Sequence, residues 1–339
     1  MKKRSIQFTS RKVDYYFDAS LELVSRLASA DHVVFVTDEH IYKAHKQKFA
    51  GQQVVVIPAG EIHKHQGTAD LVISKLIEMG ADRRSVLVGV GGGVVTDLTG
   101  YVGSVYMRGI RFGFVPTTIL AMVDASIGGK NGIDVGAYKN LVGTINQPSF
   151  LLYDLSLLKS LPKEEWVNGF AEIIKHACIK DAVMLEELEA NTLNNYRKDH
   201  ELLADLIMRN ALLKSKVVQK DEFEQADRKL LNFGHTLGHA IENDYALPHG
   251  HAVAIGMVAA CKLSEKITGF TETKRISKLI RKYGLPDVYP FDADKAISMM
   301  KMDKKKVRSV MSYVLLQKTG KGVVKHIEMD QLETMIKQL

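Results

Sequence analysis

The feature that most constrains this chain is an unbroken apolar run that meets three consecutive glycines. Residues 85–90 are almost entirely apolar, and the glycines at 91–93 follow directly before a helical pattern begins. A strand that does not alternate with polar residues is buried on both faces, which is typical of a parallel sheet covered by helices. Similar strands are predicted at 33–37, 54–58 and 111–115. The sequence therefore predicts an α/β domain with a mostly parallel, Rossmann-like sheet.

The glycine turn is suited to binding a pyrophosphate. Without Cβ atoms its backbone N–H groups approach an anion closely, and the helix N-terminus adds partial positive charge. The standard dinucleotide fingerprint is not met, because Val94 stands where the third glycine belongs and no acidic residue ends the next strand. Asp38, which ends an earlier strand, can accept a hydrogen bond from a ribose hydroxyl instead. A ligand-free tight turn is the alternative, but three glycines exceed what a turn needs, and we favour nucleotide binding.

Two more polar segments follow strand ends or glycines. Thr117 and Thr118 follow a strand of the parallel sheet, at the edge where such sheets bind ligands, although helix N-caps would also explain them. Residues 124–130 contain an aspartate, two glycines and a lysine, and residues 138–140 add a second lysine and an asparagine. Because lysine is a mobile cation suited to phosphate or carboxylate, these segments predict an anionic ligand.

The pattern changes near residue 160. An apolar strand at 150–153 closes the alternating part, and six helices are predicted between 164 and 283. A length of 339 residues also favours two domains. We predict an α/β domain of residues 1–158, followed by an all-α domain of residues 159–339, with the active site in the cleft between them.

Composition excludes several classes of protein. Two cysteines rule out a disulfide framework, and the longest apolar stretch, 252–261, is half the roughly 20 residues that a membrane span needs. The basic N-terminus lacks the apolar run of a signal peptide, so the cytoplasm is the expected location. The net charge of +7 is compatible with nucleic-acid binding. The lysines are dispersed, however, and an anionic small molecule explains the charge better than nucleic acid does.

Four of the twelve histidines are concentrated in one short segment. His235 and His239 lie at i and i+4 on one helical face, and His249 and His251 open the next helix. Together with Glu172, an acidic residue in an apolar helix, they predict a catalytic divalent metal site of His/His/carboxylate type. The spacing leaves His235 with either His239 or His251 as rival pairs. A zincin-type peptidase is disfavoured, because threonine rather than glutamate follows the first histidine.

Taken together, these segments resemble the 3-dehydroquinate synthase family of sugar-phosphate cyclases. The resemblance runs from about Asp38 to Leu316, and its motifs are highly specific in combination. The motifs lie at 60–64, 91–97, 106–109, 115–118, 124–130, 139–140, 169–175, Lys214, Arg228, 232–239, 250–251 and 303–305.

The resemblance implies roles for individual residues. The metal ligands would be Glu172, His235 and His251. The residues that contact NAD would be Asp38, Glu61, Lys64, Gly92, Gly93, Val94, Asp97, Thr117, Thr118, Lys130, Lys139 and Ser160. The residues that bind substrate would be Arg108, Lys214, Arg228, Asn232, Lys304 and Lys305. The catalytic residues would be Asp124, Lys130, Asn140, Lys175 and His239.

The resemblance also implies a reaction. The substrate 3-deoxy-D-arabino-heptulosonate 7-phosphate would lose phosphate and close to 3-dehydroquinate, in the shikimate pathway of aromatic amino-acid biosynthesis. NAD would take a hydride and return it, and one divalent metal ion, Zn²⁺ or Co²⁺, would acidify the reacting hydroxyl. The enzyme would be a homodimer in which Arg108 reaches the second subunit's site. A sister sugar-phosphate cyclase, a metal-dependent polyol dehydrogenase and a non-catalytic binding protein are the alternatives.

Overall fold

The computed structural model describes residues 1–28, 32–136, 138–303 and 310–339, so the predicted substrate residues Lys304 and Lys305 lie outside the described residues. Within them, the strands are β1 (Lys2–Gln7), β2 (Lys12–Phe17), β3 (Val33–Asp38), β4 (Gln53–Ile57), β5 (Val86–Gly91), β6 (Arg111–Pro116), β7 (Lys130–Val135), β8 (Tyr138–Ile145), β9 (Phe150–Tyr153), β10 (Val310–Lys318) and β11 (Lys321–Glu328). The α-helices are α1 (Val24–Leu27), α2 (Glu39–Ala44), α3 (Gln66–Glu78), α4 (Gly93–Val105), α5 (Lys163–Lys180), α6 (Ala182–Ala190), α7 (Leu193–Lys198), α8 (His200–Lys220), α9 (His235–Tyr245), α10 (His249–Thr268), α11 (Thr273–Lys282), α12 (Ala293–Asp303) and α13 (Met329–Ile336).

These residues form two units. Unit 1 contains residues 1–165 and 204–223, and unit 2 contains residues 166–203 and 224–339. The predicted division into 1–158 and 159–339 differs from this in two respects. Unit 1 extends slightly further along the chain, and it also includes most of α8. A contiguous division could not anticipate this, because an amphipathic helix has the same apolar pattern whichever unit it packs against.

Unit 1 is built on a seven-stranded sheet in the order β1-β2-β9-β6-β5-β3-β4. All neighbouring strands are parallel except β1 and β2, which pair antiparallel. Every residue of β5 is buried, as its unbroken apolar sequence predicts. The mostly parallel sheet is therefore confirmed. The sequence did not predict β1 and β2, or the β7–β8 hairpin that forms a separate two-stranded sheet.

The parallel strands β3, β5 and β6 bring their carboxyl ends to one edge of the sheet. Asp38, Gly91 and Pro116 end these three strands. Ligands of open α/β sheets bind outside this edge, because the loops that leave it are free to vary while the strands remain fixed. Three of the segments predicted to bind NAD, at Asp38, at Gly92 and Gly93, and at Thr117 and Thr118, lie at these strand ends.

A buried carboxylate fastens the end of α8 to the sheet of unit 1. Glu222 accepts hydrogen bonds from Thr9 N, Ser10 Oγ and Gln147 Nε2, each at 2.9 Å. Burial tends to raise the pKa of Glu222, but the three donors outweigh it and lower that pKa below its usual 4.5. The stabilising contribution is therefore present above about pH 4.5 and is lost as the pH falls through the lower, folded-state value.

Glu222→Ala should destabilise the protein by about 1–3 kcal/mol at neutral pH, because it leaves three donors, one of them on the buried Gln147, without their acceptor. Glu222→Gln should lessen the loss of stability below about pH 4.5, since it removes the titrating group. Urea midpoints at pH 7 and pH 4 measure both effects. The exposed Glu78, paired with Lys75 at 2.6 Å, is the control, and Glu78→Ala should cost under about 1 kcal/mol. Equal midpoints for the two alanine variants would contradict the assignment.

Unit 2 is largely helical but not all-α, so that part of the prediction is wrong. Strands β10 and β11 form an antiparallel hairpin whose turn contains Gly320 with φ of 77°. Hydrogen bonds join the hairpin to the helices, among them Gly320 N to Cys178 O at 2.8 Å and Leu316 N to Ser264 Oγ at 2.9 Å. In the described part of the chain, every helix is too short or too polar to span a membrane.

Candidate active site

The glycine turn between β5 and α4 is as tight as its sequence predicts. A Cβ atom at Gly91 would overlap the Val95 side chain, and one at Gly92 would lie 3.1 Å from Thr118 Cγ2. Thr117 N donates to Gly91 O at 2.9 Å, which closes the adjacent ends of β5 and β6. The Thr117 hydroxyl is buried and has no hydrogen-bond partner among the described residues. A buried hydroxyl in this condition calls for a ligand or a water.

Beside this turn, the buried Lys64 joins three segments that are distant in sequence. Its Nζ lies 2.5 Å from Asp97 Oδ2 on α4 and 2.6 Å from Asn140 Oδ1 on β8. Asn140 has a φ of 52°, and its N–H donates to Asp134 Oδ1 at 2.7 Å. The structure thus brings together three of the predicted residues, Lys64, Asp97 and Asn140.

The pKa values of both charged groups, Asp97 and Lys64, are raised. Burial raises the pKa of Asp97 to about 6, although Lys64 partly offsets it. For Lys64, burial opposes the positive charge, but Asp97 and Glu61 outweigh it and raise the pKa of the ammonium. At neutral pH both groups are therefore ionised. The result is a fixed ion pair in a low-dielectric place rather than a mobile surface contact.

Asp124 lies in a turn of π-helix at residues 121–125, and π-helical turns are frequent at functional sites. Its carboxylate pairs with the ammonium of Lys214 on α8, and Lys214 Nζ also donates to Asp124 O at 2.8 Å. Both residues belong to unit 1. The predicted catalytic aspartate and one predicted substrate lysine therefore lie in direct contact.

Several other predicted NAD residues also have roles in local structure. Asp38 Oδ1 accepts from Ile41 N at 2.9 Å and so caps α2, and Thr118 Oγ1 accepts from Ala121 N at 3.1 Å. Ser160 Oγ lies 2.8 Å from His45 Nε2. The remaining predicted NAD residues are exposed or half-buried side chains or backbone of the same unit, namely Glu61, Gly93, Val94, Lys130 and Lys139.

In unit 2, helix α5 carries a buried ion pair. Glu172 and Lys175 are three residues apart, each about 1% exposed, and their charged groups are in contact. Helical spacing of i and i+3 places them on one face. A buried pair of this kind costs more in desolvation than a surface pair, so its presence among apolar neighbours suggests function more than stability.

Two histidines meet the carboxylate of Glu172. His235 Nε2 lies 3.6 Å from Glu172 Oε1, and His249 Nε2 lies 3.4 Å from the same oxygen. Donor atoms of all three residues lie within 4.8 Å of one another. Two donors each about 2.0–2.1 Å from a tetrahedral zinc ion would be about 3.3–3.4 Å apart. The three side chains therefore fit a divalent metal ion with little rearrangement.

The third member of this cluster is His249, not the predicted His251. Both residues open α10, but two positions on a helix are about 200° apart around its axis, so their side chains point to nearly opposite sides. Among the described residues, His251 belongs to none of the groups that could hold a metal ion. The donor geometry of the described residues therefore favours His249 over the predicted His251 as the third candidate ligand.

Glycines set the approach of the helices that carry these histidines. A Cβ atom at Gly250 would overlap Asn168 O, and Gly250 N donates to Asn168 Oδ1 on α5, the helix of Glu172. A Cβ atom at Gly256 of α10 would overlap the Gly234 carbonyl oxygen and lie 3.0 Å from Gly238 N of α9. Because of these close approaches, α5, α9 and α10 bring their side chains to one point.

The charge states of the cluster follow from burial and its neighbours. Burial would raise the pKa of Glu172, but Lys175 and the imidazoles hold it well below its usual value. Burial, followed by Lys175, lowers the pKa of His235 far below 6.5. For His249, burial acts in the same direction, yet hydrogen bonds to Glu172 and Glu242 raise its pKa to about 9. A metal ion would take the place of the proton on His249.

Three more predicted residues of unit 2 lie close to His235 in the sequence, namely Arg228, Asn232 and His239. His239 follows His235 by one turn of α9, and the two rings are 5.1 Å apart. Asn232 donates to Glu224 Oε1 at 2.7 Å, and Arg228 is buried in the 3₁₀ helix at residues 227–232.

Two family profiles match adjacent parts of the chain. Residues 54–168 match 3-dehydroquinate synthase N-terminal, and residues 169–306 match 3-dehydroquinate synthase C-terminal. The chain belongs to the 3-dehydroquinate synthase family. The 3-dehydroquinate synthase of Pyrococcus furiosus is 39% identical over 280 residues, which is 81% of this chain and 81% of that protein. The predicted family, enzyme class and 3-dehydroquinate synthase activity are thereby confirmed.

Solved structures extend the likeness of this 3-dehydroquinate synthase family member over the whole chain. A 2-deoxy-scyllo-inosose synthase complexed with carbaglucose-6-phosphate, NAD⁺ and Co²⁺ is 24% identical, with a TM-score of 0.87 and 99% of each chain covered. The 2-epi-5-epi-valiolone synthase of Streptomyces hygroscopicus subsp. jinggangensis 5008, with NAD⁺ and Zn²⁺ bound, is 25% identical with a TM-score of 0.86. It covers 100% of this chain and 99% of its own. The predicted order of an α/β part before a largely helical part is confirmed.

The sequence did not predict three residues of the candidate site. His249 was recognised as part of the histidine segment but not as a member of the cluster, and neither Asn168 nor Glu242 was predicted. Gly250 lies directly between His249 and His251, so its close approach to a neighbouring backbone does not separate the two histidines in the sequence.

Proposed function

We propose that this enzyme converts 3-deoxy-D-arabino-heptulosonate 7-phosphate to 3-dehydroquinate with NAD and one divalent metal ion, Zn²⁺ or Co²⁺. The observation that carries the proposal is the cluster of Glu172, His235 and His249, a His/His/carboxylate donor set in a buried place. Such a set suits borderline divalent ions in catalytic sites that keep a position open for substrate. The NAD⁺ and the Zn²⁺ or Co²⁺ in the two related synthase structures support the same pair of cofactors.

The edge of the sheet in unit 1 supports NAD binding. The glycine turn before α4 leaves its backbone N–H groups open to a pyrophosphate at a helix N-terminus. The unpartnered Thr117 hydroxyl and the ionised pair of Lys64 and Asp97 add polar groups beside that turn. When bound, NAD accepts a hydride from the substrate and returns it, so that it is not consumed.

The cations of both units support an anionic substrate. Lys175 and Arg228 of unit 2 are buried, and so is Lys214 of unit 1. A buried cation makes strong charge-assisted hydrogen bonds to an anion, and a phosphorylated sugar acid brings both a carboxylate and a phosphate. Asp124 fixes the ammonium of Lys214, and His239 supplies an imidazole next to His235. A divalent metal ion bound at the cluster would acidify the hydroxyl on the substrate carbon that gives up the hydride.

The proposal is tested by following two products at once. The metal-loaded protein is incubated with the heptulosonate phosphate and a catalytic amount of NAD, and phosphate and the carbocyclic product are measured together. We expect equal amounts of both, with no net NADH. The same protein stripped by a chelator should be inactive and should recover on reloading. Absence of phosphate release would refute the proposal, and NADH accumulating in proportion to substrate would instead indicate a polyol dehydrogenase.

We further propose that the enzyme is a homodimer that associates through the apolar hairpin patch. This patch consists of exposed apolar side chains of β7 and β8 together with a neighbouring methionine, namely Val135, Leu141, Val142, Ile145 and Met107, each 41–60% exposed. Thr144 of the hairpin bonds Ser104 at 3.1 Å, three residues before Met107. Grouped exposed apolar side chains favour a protein interface.

Backbone strain next to the apolar hairpin patch points to the same surface. Met107 and Arg108 have φ of 49° and 68°, a left-handed conformation that non-glycine residues rarely adopt. Strain of this kind is retained where it positions a functional side chain. It supports the proposal that Arg108 reaches the second subunit.

Leu141→Lys should convert the dimer to a monomer, because it places a charge in the middle of an apolar interface. Sedimentation at several protein concentrations measures the oligomeric state. Val288→Lys is the matched control, since Val288 is 69% exposed and lies in unit 2 outside the patch, and it should leave the dimer intact. A wild-type protein that sediments only as a monomer, or a Leu141→Lys variant that remains dimeric, would contradict the proposal.

A further inference from the structure

A buried carboxylate lies behind one of the two histidines of the metal cluster. Glu242 is 7% exposed, and its Oε2 lies 3.2 Å from His249 Nδ1. The other ring nitrogen of His249, Nε2, faces Glu172 Oε1 at 3.4 Å. The imidazole is therefore held between two carboxylates, one at each nitrogen.

Helical spacing explains why Glu242 lies in this place. It follows His235 by seven residues on α9, which is about two turns, so both side chains project from the same face. His249 is the first residue of α10 and lies against this face, with its ring 5.4 Å from that of His235. One face of α9 thus supplies both a candidate ligand and a carboxylate that contacts the ligand of the next helix.

We propose that Glu242 is a positioning residue of the metal site, which accepts the Nδ1–H of His249 and so presents the Nε2 lone pair to the ion. The inference rests on the proposed metal site. Histidine ligands commonly donate their second N–H to a carboxylate or a backbone carbonyl, which fixes the tautomer and the ring orientation. The arrangement is matched at the other histidine, where His235 Nδ1 lies 3.1 Å from Phe233 O.

A different arrangement would make Glu242 itself a ligand. His239, Glu242 and His249 also form a group with donor atoms within 4.8 Å of one another. The contacts favour positioning, because Glu242 engages Nδ1 of His249 whereas Nε2 is directed to Glu172, next to His235. The two arrangements predict different donor sets for a bound ion, and these can be told apart by spectroscopy.

Cobalt titration of the metal-free protein tests the positioning role without any measurement of activity. Co²⁺ affinity is obtained by competition with a chelator, and the donor set is followed by the visible d–d spectrum. For Glu242→Ala we expect an affinity about 10–100-fold weaker than wild type. Glu242→Gln, which is isosteric and keeps an acceptor oxygen, should lose less. The spectra of both saturated variants should match wild type, because the ligand atoms are unchanged.

Asp244→Ala is the matched control, since Asp244 lies on the same helix and pairs with Lys295 instead. It should bind Co²⁺ as wild type does. If wild type itself binds no Co²⁺, the proposed metal site fails, and this inference fails with it. If wild type binds Co²⁺ and both Glu242→Ala and Glu242→Gln bind it as tightly as wild type, only the positioning role is overturned. A changed spectrum in saturated Glu242→Gln would overturn it in favour of direct ligation. Should Glu242→Ala fail to fold, the isosteric Glu242→Gln decides.

Discussion

Replacing His249 by alanine should remove the metal ion and the activity, whereas replacing His251 should leave both largely in place. His249 Nε2 lies 3.4 Å from Glu172 Oε1, and no described metal-compatible group includes His251. The loss of metal affinity should exceed the loss of about 10–100-fold that is typical when a residue hydrogen-bonded to a ligand is replaced. The reason is that His249→Ala removes a ligand atom itself. The rate should fall on the order of 10³-fold, as expected when several kcal/mol of transition-state stabilisation are lost.

The comparison is made by metal analysis after dialysis and by initial rates with added Zn²⁺ or Co²⁺. His251→Ala serves as the matched control, because it removes an imidazole from the same first turn of α10. Full metal content in His249→Ala together with metal loss in His251→Ala would overturn the assignment and restore the ligand expected from the sequence.

Gly256→Ala should disrupt the metal cluster, although the atoms nearest to the added Cβ belong to the backbone of Gly234 and Gly238 rather than to the cluster. Alanine normally stabilises a helix interior relative to glycine by about 1 kcal/mol. At this position the added Cβ would overlap the Gly234 carbonyl oxygen and lie 2.9 Å from its carbon. Because backbone cannot give way as a flexible side chain does, α10 must move away from α9, and His249 moves away from His235. Overpacking of this kind costs about 1–3 kcal/mol.

A displacement of 1 Å at a catalytic constellation is enough for a rate loss of about 10²-fold. We therefore expect weakened Co²⁺ affinity, a rate reduced by at least about that factor, and a lower urea midpoint. Gly67→Ala is the control, since Gly67 is an exposed helical glycine whose Cβ would meet only the flexible ring of His65, at 3.1 Å. It should leave all three measurements close to wild type. A Gly256→Ala protein with unchanged metal affinity would show that the helix contact does not set the site.

The sequence by itself determined the elements whose patterns are local. The unbroken apolar runs of β3, β5 and β6 and the glycines after β5 are visible without any tertiary information, because burial on both faces leaves no polar alternation. The helical repeats that became α5, α8, α9 and α10 are visible because their apolar residues recur about every 3.6 residues along the chain. The motif resemblance added the family, and with it the activity. It also pointed to Glu172 and His235, which the structure brings together with His249.

Only the tertiary structure decided which histidine completes the cluster. His249 and His251 are two residues apart in the same helix, and sequence spacing to His235 does not distinguish them. What distinguishes them is the side of α10 that faces α5 and α9, and this side is set by backbone contacts at Gly250 and Gly256. The same reason explains two other differences, namely the allotment of α8 to unit 1 and the contact of Glu242 with His249. In each case the local sequence pattern determines that a helix forms. The elements packed against that helix determine which of its faces carries the functional residue.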